Sequence, residues 1–222
     1  MISHVHPPAR KPRRRAVGAM TILELLVVIA IISLLAALLM PSLKNARQAG
    51  KGAACLSNLR QIAMVLNIYA NENDDLLPPI YGVNSPPDSR WMWRLRPYGL
   101  NDRVIFCPED PLFTPTSTPL DPDDRKTHSY ILNGLAELGL QIGQSPFLGD
   151  ISNSSEVVLL SEKKPTETDY YLSYPAEDPD HELDQARHRE KANYLFADSH
   201  AQSLPTGKSL VPHNLWTIDP SD

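Results

Sequence analysis

The stretch GAMTILELLVVIAIISLLAALLMPSL, residues 18–43, decides the fold of this chain. Its central 19 residues, 22–40, contain only two polar side chains, those of Glu24 and Ser33. As a helix they span about 28 Å, close to the roughly 30 Å hydrocarbon core of a bilayer. A cleavable secretory signal carries a shorter apolar region of about 7–15 residues. The sequence therefore predicts a membrane-spanning helix over 20–40, in which Glu24 needs a compensating partner.

Charge is distributed unevenly along the 222 residues, whose formal net charge is −5. Residues 1–19 contain five basic residues and no acidic one, and the remainder has a net charge of −10. Basic residues flanking an apolar helix stay on the cytoplasmic side. We expect a single-pass protein of the cytoplasmic (inner) membrane with an exported acidic domain. The alternative is a nucleic-acid-binding or solvated arm at Arg13–Arg15; we expect no nucleic-acid partner, because the domain is acidic.

A second, amphipathic helical segment follows over 41–72. Pro41 is expected to bend the helix or to mark its exit from the membrane, and Gly50 and Gly52 weaken it by about 1 kcal/mol each. We predict one long helix over about 20–72, whose second half packs against a globular domain over 73–222. Its apolar side chains recur at spacings of three and four, typical of one buried face: Leu56, Leu59, Ile62, Ala63, Leu66 and Tyr69.

The globular domain is predicted to be α+β, with long loops and a small antiparallel sheet. The whole chain has 21 prolines in 222 residues, about twice the ordinary share, which favours irregular structure. Short apolar runs predict strands at 103–107 and 155–162, and residues 129–134 are predicted to form either another short strand or a turn. Residues 192–204 predict a hairpin that turns near Asp198-Ser199. We expect three to five antiparallel strands packed on the helix.

The segment after the helix is rich in Asp, Asn, Pro and Gly and is predicted to be a loop. We expect Trp91, Trp93 and Tyr98 within it to cover the helix. The alternative interpretation is an exposed aromatic binding platform.

The two cysteines, Cys55 and Cys107, belong to the part of the chain that we expect to be exported. Disulfides persist outside the cytoplasm, so these residues are candidates for a disulfide. Pairing cannot be deduced from sequence, and two separate buried thiols remain the alternative.

The N-terminal sequence TILELLVVIAIISLLAALLMPSLKNAR resembles type IV prepilins and type II secretion pseudopilins. Members of that family have a short basic leader, a cleavage site, and an apolar helix with Glu as the fifth mature residue. Matching Glu24 to this glutamate places cleavage between Ala19 and Met20, after a leader over 1–19. The family usually has Gly before the cut and Phe after it, whereas here Gly18 lies one residue earlier.

The resemblance implies a pilin-like fold, proteolytic processing of the N-terminus and assembly into a filament. A prepilin peptidase/methyltransferase would remove the leader and N-methylate Met20. Glu24 would then pair with the free terminal amine of a neighbouring pilin-like subunit, since a buried charge is tolerated when it is paired. The alternative is that Glu24 only extends to the membrane surface.

A second motif narrows the resemblance to a pseudopilin-like subfamily with a histidine, nine residues and then Asp-Gly. His188 is followed by the nine residues REKANYLFA and by Asp198-Ser199, so that Ser199 replaces the usual glycine. If that glycine adopts a positive φ angle, serine fits the position less well.

Metal binding and catalysis have weaker sequence support. Imidazole and carboxylate groups bind zinc, and His188, Asp198 and His200, with His181 and Glu182 upstream, offer such groups. The structural alternative is that His188 anchors the hairpin through hydrogen bonds while His200 is exposed.

Type II major pseudopilins bind calcium through loop oxygens, which makes the acidic runs 121–124 and 177–180 the candidates for calcium. We otherwise expect no cofactor. The sequence contains no serine nucleophile motif and no phosphate-binding glycine loop, so an enzyme is not expected.

These observations predict a structural subunit of a type II secretion or type IV pilus-like filament. The rival hypotheses are a singly anchored binding domain that does not polymerise, and an anchored metal-dependent hydrolase.

Overall fold

The structure is a computed structural model that describes residues 21–81, 86–112, 128–135, 138–167, 169–172 and 182–218. Several predicted features lie outside these described residues: the leader over 1–19 with the cleavage junction Gly18-Ala19-Met20, His181, and the acidic runs 121–124 and 177–180. The chain divides into two compact units, Met1–Lys44 and Asn45–Asp222, and each is described by itself.

Helix α1 runs from Ile22 to Glu72, and it forms the described part of the first unit. Pro41 removes one backbone hydrogen-bond donor but does not interrupt the helix, and neither do Gly50 and Gly52. The predicted long helix is therefore confirmed from residue 22 onward. In the first unit its apolar side chains are exposed, and by length and composition this helix can cross a membrane.

In the second unit, α1 buries one face against the rest of the domain. The buried residues recur at helical spacing: Cys55, Leu59, Ile62, Ala63, Leu66, Tyr69 and Ala70. The predicted stripe is confirmed except at Leu56, which is only partly buried. The face is thus defined by the local sequence pattern, and its apolar area drives the packing.

The aromatic segment after α1 packs against this core. It contains a short helix α2, Trp91–Leu95, between two single-turn 3-10 helices, Pro87–Ser89 and Arg96–Tyr98. The Trp91 side chain is fully buried, and the Tyr98 ring contacts the edge of Tyr69 at a centroid distance of 5.1 Å. The loop prediction was wrong for α2, because buried aromatic packing stabilises a helical turn that local propensity does not indicate.

Within the described residues the sheet has five strands, in the order β3-β1-β2-β4-β5. The strands are β1 Tyr130–Asn133, β2 Val158–Glu162, β3 Tyr171–Leu172, β4 Lys191–Phe196 and β5 Ala201–Pro205. Strands β1 and β2, β2 and β4, and β4 and β5 are antiparallel. Strand β3 pairs parallel to β1, so the sheet is mixed and the expectation of a purely antiparallel sheet was wrong.

The strand alternative at 129–134, the predicted strand at 155–162 and the predicted hairpin are confirmed by β1, β2 and β4–β5. The strand predicted at 103–107 is wrong, because this run forms turns in which Val104 N donates to Asn101 O at 2.9 Å. A short apolar run marks burial but does not by itself distinguish a strand from a buried turn.

Both faces of the central strands are covered. One face belongs to the core that contains Leu59 of α1 and Trp91, and the other packs with Trp216. Strands β1 and β2 are therefore buried at every position, which explains why their sequences show no polar alternation.

Two of the turns that place non-glycine residues at positive φ adjoin strand β4. Ser199 has a φ of 72°, so the position where the resembled motif has glycine does require this conformation. Its hydroxyl accepts a hydrogen bond from Asn67 Nδ2 on α1 at 2.9 Å, which offsets part of the conformational cost. Arg189 and Glu190, with φ angles of 57° and 62°, form the turn that leads into β4.

We expect Glu190→Gly to raise the free energy of unfolding by about 0.5–1 kcal/mol. Glycine relieves a left-handed conformation that costs about 1–2 kcal/mol, and the greater freedom of the unfolded chain offsets part of the gain. Urea unfolding of the full chain in detergent measures the change. Glu190→Ala keeps the Cβ atom and should give no gain; an equal gain in both variants would contradict the explanation.

Candidate functional site

A buried histidine between two carboxylates forms the centre of the candidate site. His188 precedes β4, and its Nδ1 lies 2.6 Å from Glu109 Oε2 while its Nε2 lies 2.6 Å from Glu162 Oε1. An ionised carboxylate can accept hydrogen bonds but cannot donate them. Both glutamates therefore receive a hydrogen bond when the ring is an imidazolium that donates from each nitrogen. The three groups thus form an acid–cation–acid triad that is buried at His188 and Glu162 and partly buried at Glu109.

The pKa of His188 is raised above its ordinary value of 6.5. Burial is the largest single influence and lowers the pKa, but the hydrogen bonds and negative charges of Glu162 and Glu109 together outweigh it. The folded protein therefore favours the protonated ring.

A disulfide lies directly against this triad. Cys55 of α1 and Cys107 of the loop before β1 are bonded, with their Cα atoms 5.1 Å apart. Cys107 Sγ lies 3.5 Å from His188 Nε2. The covalent bond and the histidine therefore join the same elements: the helix, the 107–109 loop, and strand β2 through Glu162.

Backbone and side-chain donors hold the triad in place. The second oxygen of Glu162, Oε2, accepts a hydrogen bond from Asn193 N at 3.1 Å, and Asn193 Nδ2 donates to Gly52 O at 3.2 Å. A Cβ atom at Gly52 would lie 3.4 Å from His188 Nδ1, so the ring packs directly on the helix backbone. These contacts connect β4 to α1.

Arg187 anchors the neighbouring part of the loop. It is buried, its Nη1 lies 3.4 Å from Asp110 Oδ2, and its Nε donates to Asp184 Oδ2 at 3.0 Å. Arg187 also donates to the carbonyl oxygen of Lys163, and Asp110 accepts the Ser129 hydroxyl at 2.7 Å. Consecutive residues 187 and 188 thus pair with consecutive acids 110 and 109.

A groove of about 460 Å³ opens beside His188, between α1 and the β4–β5 hairpin. Its helix side is formed by small and apolar residues such as Ala53 and Leu56, and its sheet side includes Arg189 and Lys191. The groove is therefore apolar on one wall and basic on the other.

The structure separates the histidines that the sequence offered as zinc ligands. Asp198 Oδ1 binds Nδ1 of its own neighbour His200 at 2.5 Å, and the His200 ring stacks on Phe196. The ring nitrogens of His188 are instead hydrogen-bonded, Nδ1 to Glu109 and Nε2 to Glu162. The predicted set of His188, Asp198 and His200 is therefore not brought together as one group among the described residues.

His188 instead matches the structural alternative, because its backbone N donates to Lys191 O at 2.8 Å and its ring anchors the start of the hairpin. Sequence reasoning missed its partners Glu109 and Glu162. Glu109 is two residues after Cys107 and Glu162 ends a buried strand, but no local pattern identifies His188 as the partner of either acid.

At the start of α1, Glu24 has a local partner. Its Oε2 accepts hydrogen bonds from Thr21 N at 2.8 Å and from Thr21 Oγ1 at 2.9 Å, while Thr21 Oγ1 accepts from Glu24 N at 3.3 Å. This reciprocal arrangement is a capping box. The spacing Thr-x-x-Glu was the sequence signal for it.

Comparison with known proteins finds no matching family model, no matching curated protein and no matching solved structure. The function is therefore argued from the residues and their geometry.

We expect the free energy of unfolding of the oxidised full chain to fall as the pH rises above about 6.5 and through the raised folded-state pKa of His188. Because the folded-state pKa of His188 is raised, its contribution is fully present below the unfolded value and is lost as the pH rises through the folded value. Urea unfolding in detergent, followed by tryptophan fluorescence, measures this slope.

Glu109→Gln is the matched control, because it keeps a hydrogen-bond acceptor but removes one charge that raises the His188 pKa. Its slope should be shallower. Burial lowers the pKa of Lys163 to about 8 and that of His128 below 6.5, so both groups make the free energy of unfolding rise with pH. Both residues are present in the wild type and in Glu109→Gln, so they do not affect the comparison of the two slopes. Equal slopes in the two chains would refute the assignment to His188.

Proposed function

We propose that this chain is a pseudopilin-like structural subunit, processed by a prepilin peptidase and assembled into a type II secretion or type IV pilus-like filament. The observation that carries the proposal is the division of α1: an exposed apolar half beginning at Ile22, and a half that buries one face on a disulfide-linked α+β domain. Such a helix can serve both as a membrane anchor and as the core of a filament.

The physical argument concerns the exposed half of the helix. From Ile22 to Leu43, large apolar side chains surround the axis, and Glu24 and Ser33 are the exceptions between Ile22 and Met40. A helix that is apolar on all sides is buried, in lipid or among other helices. In a filament, lateral contacts among identical helices would replace lipid contacts after extraction from the membrane.

Glu24 supplies the proposed registry between subunits. Both hydrogen bonds from Thr21 go to Oε2, so Oε1 keeps acceptor capacity for a neighbour's terminal ammonium group. An unpaired carboxylate at this depth costs roughly 2.5–3.5 kcal/mol, which alignment with an ammonium group would offset.

The first test is N-terminal sequencing and intact-mass measurement of the protein recovered from its native membrane. We expect a chain that begins at N-methylated Met20, because the match of Glu24 to the fifth mature residue places the cut after Ala19. A chain that retains residues 1–19 would overturn the processing step and favour the tethered domain.

The capping box favours one rival, a singly anchored binding domain in which Glu24 only stabilises the helix start. Two substitutions distinguish the hypotheses. Glu24→Gln keeps a residue suited to a capping box but removes the charge, whereas Glu24→Ala removes both. If Glu24 sets the registry, both variants should lose subunit–subunit crosslinks in the membrane by more than tenfold, since about 1.4 kcal/mol corresponds to a factor of ten.

If Glu24 acts only as a cap, Glu24→Gln should crosslink like the wild type, and Glu24→Ala should lose only about 1 kcal/mol of helix stability. Membrane insertion, measured by fractionation, should be retained in every variant and serves as the control. Crosslinks that are unchanged in both variants would refute the role of Glu24 in assembly.

A further inference from the structure

Four buried side chains from distant parts of the chain direct possible metal ligands to one point. The sulfur atoms of Cys55 and Cys107, a carboxylate oxygen of Glu162 and an imidazole nitrogen of His188 all lie within 4.8 Å of one another. Two thiolates, an imidazole and a carboxylate are a donor set suited to zinc in a closed tetrahedral site. This set shares only His188 with the histidine cluster that the sequence suggested.

One distance already matches a zinc site, whereas the bonded sulfur atoms of Cys55 and Cys107 would have to move to about 3.8 Å apart after reduction. With Zn–S near 2.3 Å and Zn–N near 2.0–2.1 Å, a sulfur and a nitrogen on one tetrahedral ion lie about 3.5 Å apart. Cys107 Sγ and His188 Nε2 are 3.5 Å apart. Nε2 and Glu162 Oε1, 2.6 Å apart with a proton between them, would separate by under about 1 Å to admit the ion.

The groups around these ligands match a zinc site as well. Zinc-bound histidines donate their other ring N–H to a carboxylate or carbonyl, and His188 Nδ1 already lies 2.6 Å from Glu109 Oε2. Ligating carboxylates are themselves hydrogen-bonded, and Glu162 Oε2 already accepts from Asn193 N. The supporting contacts therefore exist without the metal.

We propose that the chain with reduced cysteines binds one Zn²⁺ through Cys55, Cys107, His188 and Glu162, and that the disulfide seen here is the alternative state of the same site. Newly made chains carry the two thiols, so zinc would link α1 to the sheet until a second disulfide oxidises them by exchange: that disulfide accepts two electrons and leaves as two thiolates, the Cys55–Cys107 bond forms, and Zn²⁺ is released. This inference does not depend on filament assembly.

The two states are related by balanced chemistry. A phosphine reductant breaks the S–S bond and takes the oxygen of one water molecule, and the two hydrogens of that water end on the two sulfurs. When zinc binds, each thiol releases a proton to solvent and its sulfur forms a Zn–S bond. His188 releases its Nε2 proton, and the ion occupies that position while Nδ1–H remains with Glu109.

The test uses the full chain in detergent, reduced with a phosphine that is then removed under argon. Zn²⁺ is titrated against a chromophoric chelator, and Co²⁺ is added in a parallel sample. We expect one metal ion per reduced chain, a thiolate-to-cobalt charge-transfer band and the visible absorption of tetrahedral cobalt. The oxidised chain should show neither binding nor the band.

Variants then assign the ligands. Cys55→Ser should abolish the charge-transfer band or reduce it by half and weaken binding by at least tenfold. Glu109→Gln, which leaves all four ligands intact, should weaken zinc binding by about 10–100-fold. His200→Gln, outside the site, should bind like the wild type, and tryptophan fluorescence reports whether each variant is folded.

Three results would overturn the proposal: a cobalt complex of the reduced wild type without a thiolate band, equal affinity of the oxidised and reduced chains, or equal affinity of the wild type and Cys55→Ser. The cobalt spectrum of the wild type is decisive by itself, so the proposal stays testable even if a variant does not fold.

Discussion

The second unit depends on one buried ion triad, in which His188 is held between Glu109 and Glu162 against the Cys55–Cys107 disulfide. Removing one partner of a buried ion pair typically costs about 3–5 kcal/mol, because it leaves a charge without compensation. The disulfide connects residues 52 apart in sequence. By reducing the conformational entropy of the unfolded chain, such a crosslink stabilises the fold by about 4 kcal/mol in the loop-entropy description. Each of these contributions is a large fraction of the net stability of a domain, which is usually about 5–15 kcal/mol.

The arrangement also explains how an irregular segment can be well fixed. Residues 101–112 contain no strand, yet the structure pairs two consecutive acids, Glu109 and Asp110, with the consecutive bases His188 and Arg187. Asp110 further accepts from Ser129, whose Oγ accepts a hydrogen bond from Cys107 N. Side-chain hydrogen bonds, together with backbone hydrogen bonds in turns, thus satisfy the polar groups of this loop without a strand ladder.

Local periodicity predicted the parts of the fold that local interactions determine. The helix and its buried stripe follow from spacings of three and four residues, and the β4–β5 hairpin follows from the turn signal at Asp198-Ser199 between two short runs. Strand β3 is only two residues long and forms by pairing with β1, so the local sequence pattern does not predict it. The run at 103–107 was mistaken for a strand because burial in a turn and burial in a strand require the same apolar residues.

The candidate site was predicted only residue by residue. Cys55, Cys107 and His188 were each singled out, but His188 lies 81 residues from Cys107 and 26 from Glu162, and contacts at such separations depend on the whole fold. Glu162 ends a buried strand and faces the imidazole, a position in which an unpaired acid would be strongly unfavourable. An acid at the end of an apolar strand is therefore the local signal that a buried cation must be sought, although sequence alone does not say which one.

Glu24 is also an acid in an apolar segment and also needs a partner. Its geometry is compatible with two roles, the observed helix cap and the proposed pairing between subunits. The capping box uses Oε2 for both Thr21 donors, fixing the side chain at the first turn of α1. A side chain fixed in this way loses less rotational entropy when a second partner binds Oε1, so capping lowers the cost of pairing with an ammonium group. If cleavage follows Ala19, that ammonium group would be the Met20 terminus of a neighbouring subunit. Because the cap within one chain uses only Oε2, local capping and pairing between subunits are compatible parts of one proposed mechanism.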